Sequence, residues 1–330
     1  VRRSARAARR IVLTLERMDP ALRLGVDLGG TKIEAVVLRL ERDAPAVLAR
    51  LRVPTEREAG YDHVVAATAK LVGDVAAQAG LPSPPPVGVG MPGSVTLRRS
   101  DGTRSDVPLT KNSNTTCLNG RPFRDDLARA AGVPIAFAND ANCFALAEAT
   151  YGAARDARVA FGVILGTGVG GGVVFRERGE PRVWDGAQGI AGEWGHVSLD
   201  PDAGPPCYCG RRGCIEQYLS GPAIEGAYAR RAGARLRLPD IAARAEQGDA
   251  GARALLDSVV DVFGRALAVV IDVLDPDTIV LGGGVSNLRI LRERGAEAVA
   301  RWIFNDEVRT RIVGNSLGDS AGVLGAALLP

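Results

Sequence analysis

Between Gly192 and Glu216 the chain reads GEWGHVSLDPDAGPPCYCGRRGCIE, and scarce metal-binding residues crowd into it. Three of the five cysteines, Cys207, Cys209 and Cys214, and one of the two histidines, His196, fall in this stretch. Thiolate and imidazole donors satisfy a tetrahedral, borderline-soft cation with no redox chemistry of its own. A Cys-x-Cys-x4-Cys set with His196 eleven residues upstream therefore points to zinc rather than to free thiols. Four protein ligands leave no open position for water, so such a metal is architectural. Glu193 and Glu216 bracket the set, and carboxylates fixed beside a structural metal make a rigid wall for a ligand.

Three glycine loops carry a second kind of chemistry. In GVDLGGTK, Gly29 and Gly30 let backbone amides approach phosphate oxygens, while Thr31 adds a hydroxyl and Lys32 a cation. Asp27, at the end of the preceding strand, is placed to hold Mg²⁺ through water. The run fits neither the Walker pattern nor the dinucleotide fingerprint, and by itself it also reads as an ordinary hairpin turn. Gly166-Thr167-Gly168 within LGTGVGGG and Gly283 within LGGGVSN repeat the theme, the last at a strand-to-helix junction that favours anionic groups. Together the three loops point to a nucleotide phosphate site.

FANDAN places Asn139 and Asp140 just past a strand's carboxyl end, where active-site residues of layered α/β folds gather. A carboxylate there suits a base that accepts a hydroxyl proton while that oxygen attacks phosphorus. The same two residues also suit a helix cap.

These residues need elements to hold them. Leu22 to Asp27 and Ile33 to Leu38 read as a glycine-tipped hairpin, followed by a strand at Val47 to Val53 and a helix from Tyr61 to Ala79. A short strand, Val87 to Gly90, leads into an irregular loop from Met91 to Pro122, and a loop that long inside a domain is usually functional. After Val133 the pattern begins again: strand IAFA, a helix to Tyr151, strand Val159 to Leu165 and a second glycine tip. Helices follow around Ala223–Ala232, Leu238–Gln247 and Ala252–Leu274, then strand Thr278–Leu281 and a last helix from Ala321. The repetition predicts two lobes built on one plan.

A chain of 330 residues has room for two such lobes. Its net charge is +3, but residues 1 to 19 hold six arginines against Glu16 and Asp19, which leaves the remainder at about −1. A near-neutral body carries no nucleic-acid footprint. Residues 1–20 read as a basic, disordered N-terminal tail, with an Arg-rich leader or a start at Met18 as alternatives. The apolar stretch Arg253 to Asp275 is broken by Asp257, Asp261, Arg265 and Asp272, which argues against a membrane span. Three clustered cysteines without an export signal imply a reducing cytoplasm, with Cys117 and Cys143 as free thiols.

In combination these motifs resemble the ROK family of sugar kinases and repressors, within the actin/Hsp70/sugar kinase ATPase superfamily. DLGGTK resembles the family's first phosphate motif, GTGVGGG the second and LGGG the adenosine end; GEWGH resembles its ExGH sugar motif and CYCGRRGCIE its CxCGxxGCxE zinc signature. The likeness runs from Leu22 to Leu329. It implies an α/β fold of two ribonuclease H-like lobes with an interlobe cleft, the first spanning 21–136 plus the terminal helix within 315–330, the second 137–314 with the zinc site. It further implies Asp140 as catalytic base toward a sugar 6-hydroxyl. Asn114, Asn139, Glu193, His196 and Glu216 would be sugar contacts. Asp27, Gly29, Gly30, Thr31, Lys32, Gly166, Thr167, Gly168 and Gly283 would face Mg-ATP. Structural zinc on His196, Cys207, Cys209 and Cys214 and a homodimer complete the expectation.

Within that family, KNSNTTCLNG and CYCGRRGCIE resemble the fructokinase/mannokinase branch, whereas ANDANCFALAEA, ILGTGVGGG and GCIEQYLSG resemble bacterial N-acetylglucosamine kinases. The latter stretches form the catalytic side of the pocket, so N-acetylglucosamine is the expected substrate. Fructose, mannose or glucose is the alternative. The repressor branch adds a DNA-binding domain of three helices, for which about twenty residues ahead of the first strand are too few.

Overall fold

The computed structural model describes residues 21–330; the tail expected over residues 1–20 lies outside the described residues. Two compact units emerge, one running to Cys143 and completed by Ser320–Pro330, the other formed by Phe144–Asp319.

The first unit is built on the strands Leu22–Leu28 (β1), Lys32–Arg39 (β2) and Ala46–Pro54 (β3), which pair antiparallel in order along the chain. Leu28 pairs with Ile33, so the glycine turn sits at the hairpin tip. Val87–Met91 (β4) lies parallel on the other side of β1 and is buried at every position, as a strand covered on both faces must be. On one face Leu24, Val26 and Leu28 pack with Leu71, Val72 and Val75 of helix Tyr61–Gln78 and with Phe123 and Leu127 of helix Phe123–Ala131. Alternate residues face the other way, where Val36 and Leu38 meet Val323 and Ala327 of the terminal helix Ala321–Ala327. That helix runs so close that a Cβ on Gly25 would lie 2.2 Å from the Val323 oxygen, and one on Gly88 1.8 Å from that of Ala326. Only glycine admits this approach.

Two expectations are corrected in this unit. Met91 to Pro122 is not one irregular loop: Ser94–Arg98 (β5) and Arg104–Lys111 (β6) form an antiparallel hairpin within it, and helix Phe123–Ala131 follows directly. The strand IAFA does not open the second lobe. As Ile135–Asn139 (β7) it pairs parallel with β4 over five residues and completes a sheet of order β3-β2-β1-β4-β7. Since that pairing ties it to the first sheet, the boundary falls after Cys143 rather than after residue 136, and the chain returns at Ser320 rather than at 315.

The second unit repeats the plan. Val159–Leu165 (β8), Val169–Glu177 (β9) and Glu180–Val183 (β10) are antiparallel, while Thr278–Gly282 (β11) and Arg311–Gly314 (β12) add in parallel, giving β10-β9-β8-β11-β12. Order and strand directions match those of the first sheet, the repetition that the sequence pattern implied. The core is organised by helix Ala250–Leu274, whose buried Leu256, Val259, Val260, Phe263, Leu267 and Ile271 recur at helical spacing on one face. Asp249 caps its start by accepting the Ala252 amide at 2.9 Å. Strands β10 and β12 and helix Arg289–Ala300 were not foreseen. Among the described residues no helix is long and apolar enough to cross a membrane.

Candidate active site and metal centre

In the first unit the chemistry gathers at the carboxyl ends of β1, β4 and β7. Asp27 stands level with Gly90, and Gly90 with Ala138, so Asp140, two residues on, emerges at the same edge. Helix Asp140–Tyr151 starts there. The Ala141 amide donates at 2.8 Å both to Asn139 Oδ1 and to Asp140 Oδ1, so the capping alternative is realised together with the strand-end position. Asn139 Nδ2 donates to the Gly93 carbonyl at 2.9 Å, tying β7 to the start of the β5–β6 hairpin.

Both acids are pushed toward their neutral forms. Desolvation by the surrounding protein, then the charges of Asp140 and Glu34, raise Asp27 to about 6, against a smaller opposing pull from Lys32. Desolvation raises Asp140 too, opposed by its hydrogen bond from the Ala141 amide. A carboxylate held above its ordinary range is a better proton acceptor near neutrality.

The first glycine turn is closed by the Gly29 amide on the Lys32 oxygen at 2.9 Å and braced by the Thr55 hydroxyl, which donates to the Gly29 oxygen at 2.7 Å. Thr31 and Lys32 are exposed at its tip. Asn114 lies beside it: a Cβ on Gly30 would sit 3.5 Å from Asn114 Oδ1 and 3.4 Å from Arg57 Nη1. Arg57 also donates to the Asn114 carbonyl at 3.2 Å. This guanidinium at the phosphate-type turn is a residue that sequence reasoning missed, and an arginine in the run TEREAG carries no local signature.

In the second unit the other two glycine loops touch. The Gly221 amide donates to the Gly166 oxygen at 2.8 Å, and Gly166 N donates to the Gly168 oxygen at 2.9 Å across Thr167. Gly283 has φ 82° and packs so tightly on the Leu165 carbonyl, 2.4 Å from a would-be Cβ, that no side chain fits. Glu216, the first residue of the short helix Glu216–Leu219, accepts the Val169 amide at 2.9 Å; a Cβ on Gly168 would come within 2.7 Å of the same Glu216 oxygen. One carboxylate thus belongs both to the cysteine segment and to the second glycine turn.

The cysteine cluster assembles as its spacing implied. Residues Glu193–His196 form a 3₁₀ turn with His196 only 9% exposed. The strand-like pairs Ser198–Cys214 and Pro206–Arg212 fold the segment back on itself. His196 Nδ1 lies 3.6 Å from Cys207 Sγ, Cys209 Sγ lies 3.6 Å from Cys214 Sγ, and all four ligand atoms fall within 4.8 Å of one another. A tetrahedral cation with bonds of about 2.3 Å to sulfur holds neighbouring sulfurs about 3.8 Å apart, so the group could hold a metal ion. Burial pushes the Cys209 thiol up, but the Arg211 amide and the Cys207 and Cys214 thiols outweigh it and bring it down to about 6. Burial and the hydrogen bond with Cys209 push Cys214 up to about 12. Tyr208, between the first two cysteines, places its hydroxyl 2.9 Å from His196 Nε2, with the two rings edge to face. It is the second residue that the sequence reading missed.

A model of the ROK family matches residues 23–330. An N-acetyl-D-glucosamine kinase of Escherichia coli O1:K1 is 35% identical over 314 residues, covering 92% of this chain and 98% of the relative. Among solved structures, a ROK hexokinase from Thermus thermophilus superposes with TM-score 0.79 at 33% identity, over 93% of this chain and 97% of that one. A ROK family glucokinase from Streptomyces griseus, in complex with glucose and AMPPNP, gives 0.71 at 28% identity, over 93% and 98%. The two repeated sheets are those of the α/β ROK sugar kinase fold. The chain belongs to the ROK family.

Proposed function

We propose that the protein transfers the γ-phosphoryl group of ATP to the 6-hydroxyl of N-acetyl-D-glucosamine, with Asp140 as general base. It is an ATP-dependent sugar kinase, and the particular sugar rests on the kinship with N-acetyl-D-glucosamine kinases over 92% of the chain. The observation that carries the mechanism is Asp140 at the strand-end edge shared with Asp27, raised by desolvation and tethered by one oxygen to the Ala141 amide. As the sugar oxygen attacks phosphorus, Asp140 takes its proton, and the bond between the γ-phosphorus and the β-bridging oxygen breaks toward ADP.

The remaining roles are positional. Asn114, Asn139, Glu193, His196 and Glu216 hold sugar hydroxyls; Gly29, Gly30, Thr31, Lys32, Gly166, Thr167, Gly168 and Gly283 line the nucleotide. Asp27 would hold Mg²⁺, which neutralises phosphate charge when bound. The donor set of His196, Cys207, Cys209 and Cys214 suits zinc, which would fix His196 and Glu216 as a wall. A reducing cytoplasm suits these thiols. A homodimer belongs to the same reading, and Val269, Val273, Trp302 and Phe304 give the second unit exposed apolar side chains for such a contact. The test is kcat/KM for N-acetylglucosamine, glucose, mannose and fructose with Mg-ATP. A clear preference for N-acetylglucosamine is expected, and a preference for fructose would overturn the choice of sugar.

A further inference from the structure

Arg57 stands where two groups of the proposed mechanism approach each other. The first glycine turn lines the nucleotide there and Asn114 holds the sugar, and the Arg57 guanidinium lies beside both: a Cβ on Gly30 would sit 3.4 Å from Arg57 Nη1 and 3.5 Å from Asn114 Oδ1. In phosphoryl transfer the group in flight lies between the nucleotide and the hydroxyl that attacks it. A cation at that junction meets the charge that spreads over the equatorial phosphoryl oxygens in the transition state.

Local structure holds the guanidinium in this place. The buried Thr55 donates its hydroxyl to the Gly29 oxygen at 2.7 Å and its amide to the Thr31 oxygen at 3.0 Å, which fastens the end of β3 to the turn on either side of Gly30. Glu56 then takes a left-handed backbone, φ 46° and ψ 43°, strained for a residue with a side chain, and the chain turns at Arg57. On the far side Asn119 braces the Asn114 loop: its Oδ1 accepts the Ser113 amide at 2.8 Å and its Nδ2 donates to the Ser113 oxygen at 3.0 Å.

The charge is not spent on this bracing. Among the described residues Arg57 donates only from Nε, to Glu58 at 3.0 Å, and from Nη1, to the Asn114 carbonyl at 3.2 Å, so Nη2 is left for a ligand. The side chains of Arg57 and Glu58 are 43% and 87% exposed, and an ion pair so open to water is readily exchanged for a phosphoryl group. A planar guanidinium fork also matches paired phosphoryl oxygens, which the point charge of Lys32 does not.

We propose that Arg57 is a further catalytic residue, whose guanidinium clamps the transferring phosphoryl group between the glycine turn and the sugar. This deepens the kinase reading and rests on it, since that reading turns Gly30 toward phosphate and Asn114 toward sugar. The guanidinium forms no covalent bond. Phosphorus passes from the β-bridging oxygen to the sugar oxygen, whose proton goes to Asp140, while Arg57 neutralises the charge that develops between them.

The experiment compares the full-length protein with Arg57→Ala and Arg57→Lys on the best of N-acetylglucosamine, glucose, mannose and fructose. It measures kcat, KM for sugar and Mg-ATP, and melting temperature, together with Mg-ADP affinity with sugar present, with and without aluminium fluoride, which mimics the phosphoryl group in flight. Arg57→Ala should lower kcat by about 10³-fold, the lower end for an arginine that stabilises a transferring phosphoryl group. Both KM values and the affinity for Mg-ADP alone should stay within about threefold, while the affinity added by aluminium fluoride is lost. Guanidinium ion supplied in solution should restore part of the alanine variant's kcat.

An unchanged kcat overturns the assignment. So does a raised sugar KM with kcat intact, because Arg57 would then only brace the Asn114 loop. Should the alanine variant fail to fold, Arg57→Lys decides: kcat reduced by about tenfold or more with affinities kept supports the clamp, and kcat at the wild-type level refutes it. Thr31→Ala and Asn114→Ala separate the two readings. If neither alters KM for ATP or sugar, the placement of turn and loop fails and the assignment with it; if both do while the Arg57 variants turn over normally, the assignment alone falls.

Discussion

Glu216 accepts the backbone amide of Val169, joining the segment of the cysteine cluster to the second glycine turn. A residue expected to grip sugar is thereby built into a loop expected to face nucleotide. The charge-assisted bond is of a class that contributes about 1.5–3 kcal/mol. Geometry on one side of it is transmitted to the other through a single side chain.

Glu216→Ala should therefore raise KM for ATP as well as for sugar, each by roughly tenfold or more. Glu216→Gln keeps an oxygen for the Val169 amide and should spare ATP while still weakening sugar. Initial rates over a matrix of both substrates decide it; an alanine variant altered in sugar KM alone would refute the coupling.

Asp140→Asn should cut kcat by about 10²–10⁴-fold, the range typical of a lost general base, while sugar affinity measured by calorimetry stays within a few fold. Turnover near that of the wild type would remove Asp140 from the mechanism.

Asp27 gives the pH dependence. Its folded value of about 6 exceeds its ordinary 3.8, so between those values the folded protein holds a proton that the unfolded chain has released. The contribution of Asp27 to stability therefore falls as pH rises through that window, on the order of 3 kcal/mol in all. Asp27→Asn, neutral throughout, should melt higher than wild type at pH 8 without nucleotide, and the two should converge near pH 4. A variant less stable at both values would show that the carboxylate is stabilising. For activity the sign reverses: in the proposed mechanism Asp27 holds Mg²⁺ in its ionised form, so kcat/KM should decline below about pH 6.

Cys209→Ser, or removal of the proposed zinc by a chelator, should lower the melting temperature by on the order of 10 °C and weaken sugar binding in parallel. Metal analysis and calorimetry on one preparation test this. An apo-protein with unchanged sugar affinity would separate the metal centre from the wall.

Much of this molecule is legible without coordinates because some residues admit few roles. Cysteines crowded around Gly210 and Gly213, and glycines closing strand after strand, signal their geometry locally. Pairing across the chain does not. The carboxyl-end position of Asp140 is readable, but only the register with β4 shows that β7 belongs to the first sheet. The β5–β6 hairpin hides because its apolar residues Val95, Leu97 and Val107 are exposed and too few to mark a buried face, although Asp101-Gly102 marks its turn. Strands β10 and β12 have four residues each, too few to show a period. Tyr208 is silent for another reason: any residue can stand between two cysteines, and only its distance to His196 gives it meaning.

The terminal helix that presses on Gly25 and Gly88 also sets an order of events. Phe144–Asp319 is an unbroken stretch, whereas the first unit, whose described strands begin at Leu22, is completed only when Ala321–Ala327 has been made. At roughly 5–20 residues per second the ribosome needs about 10–35 s to travel from Cys143 to that helix. Val36 and Leu38 therefore wait for Val323 and Ala327 before their packing partners exist.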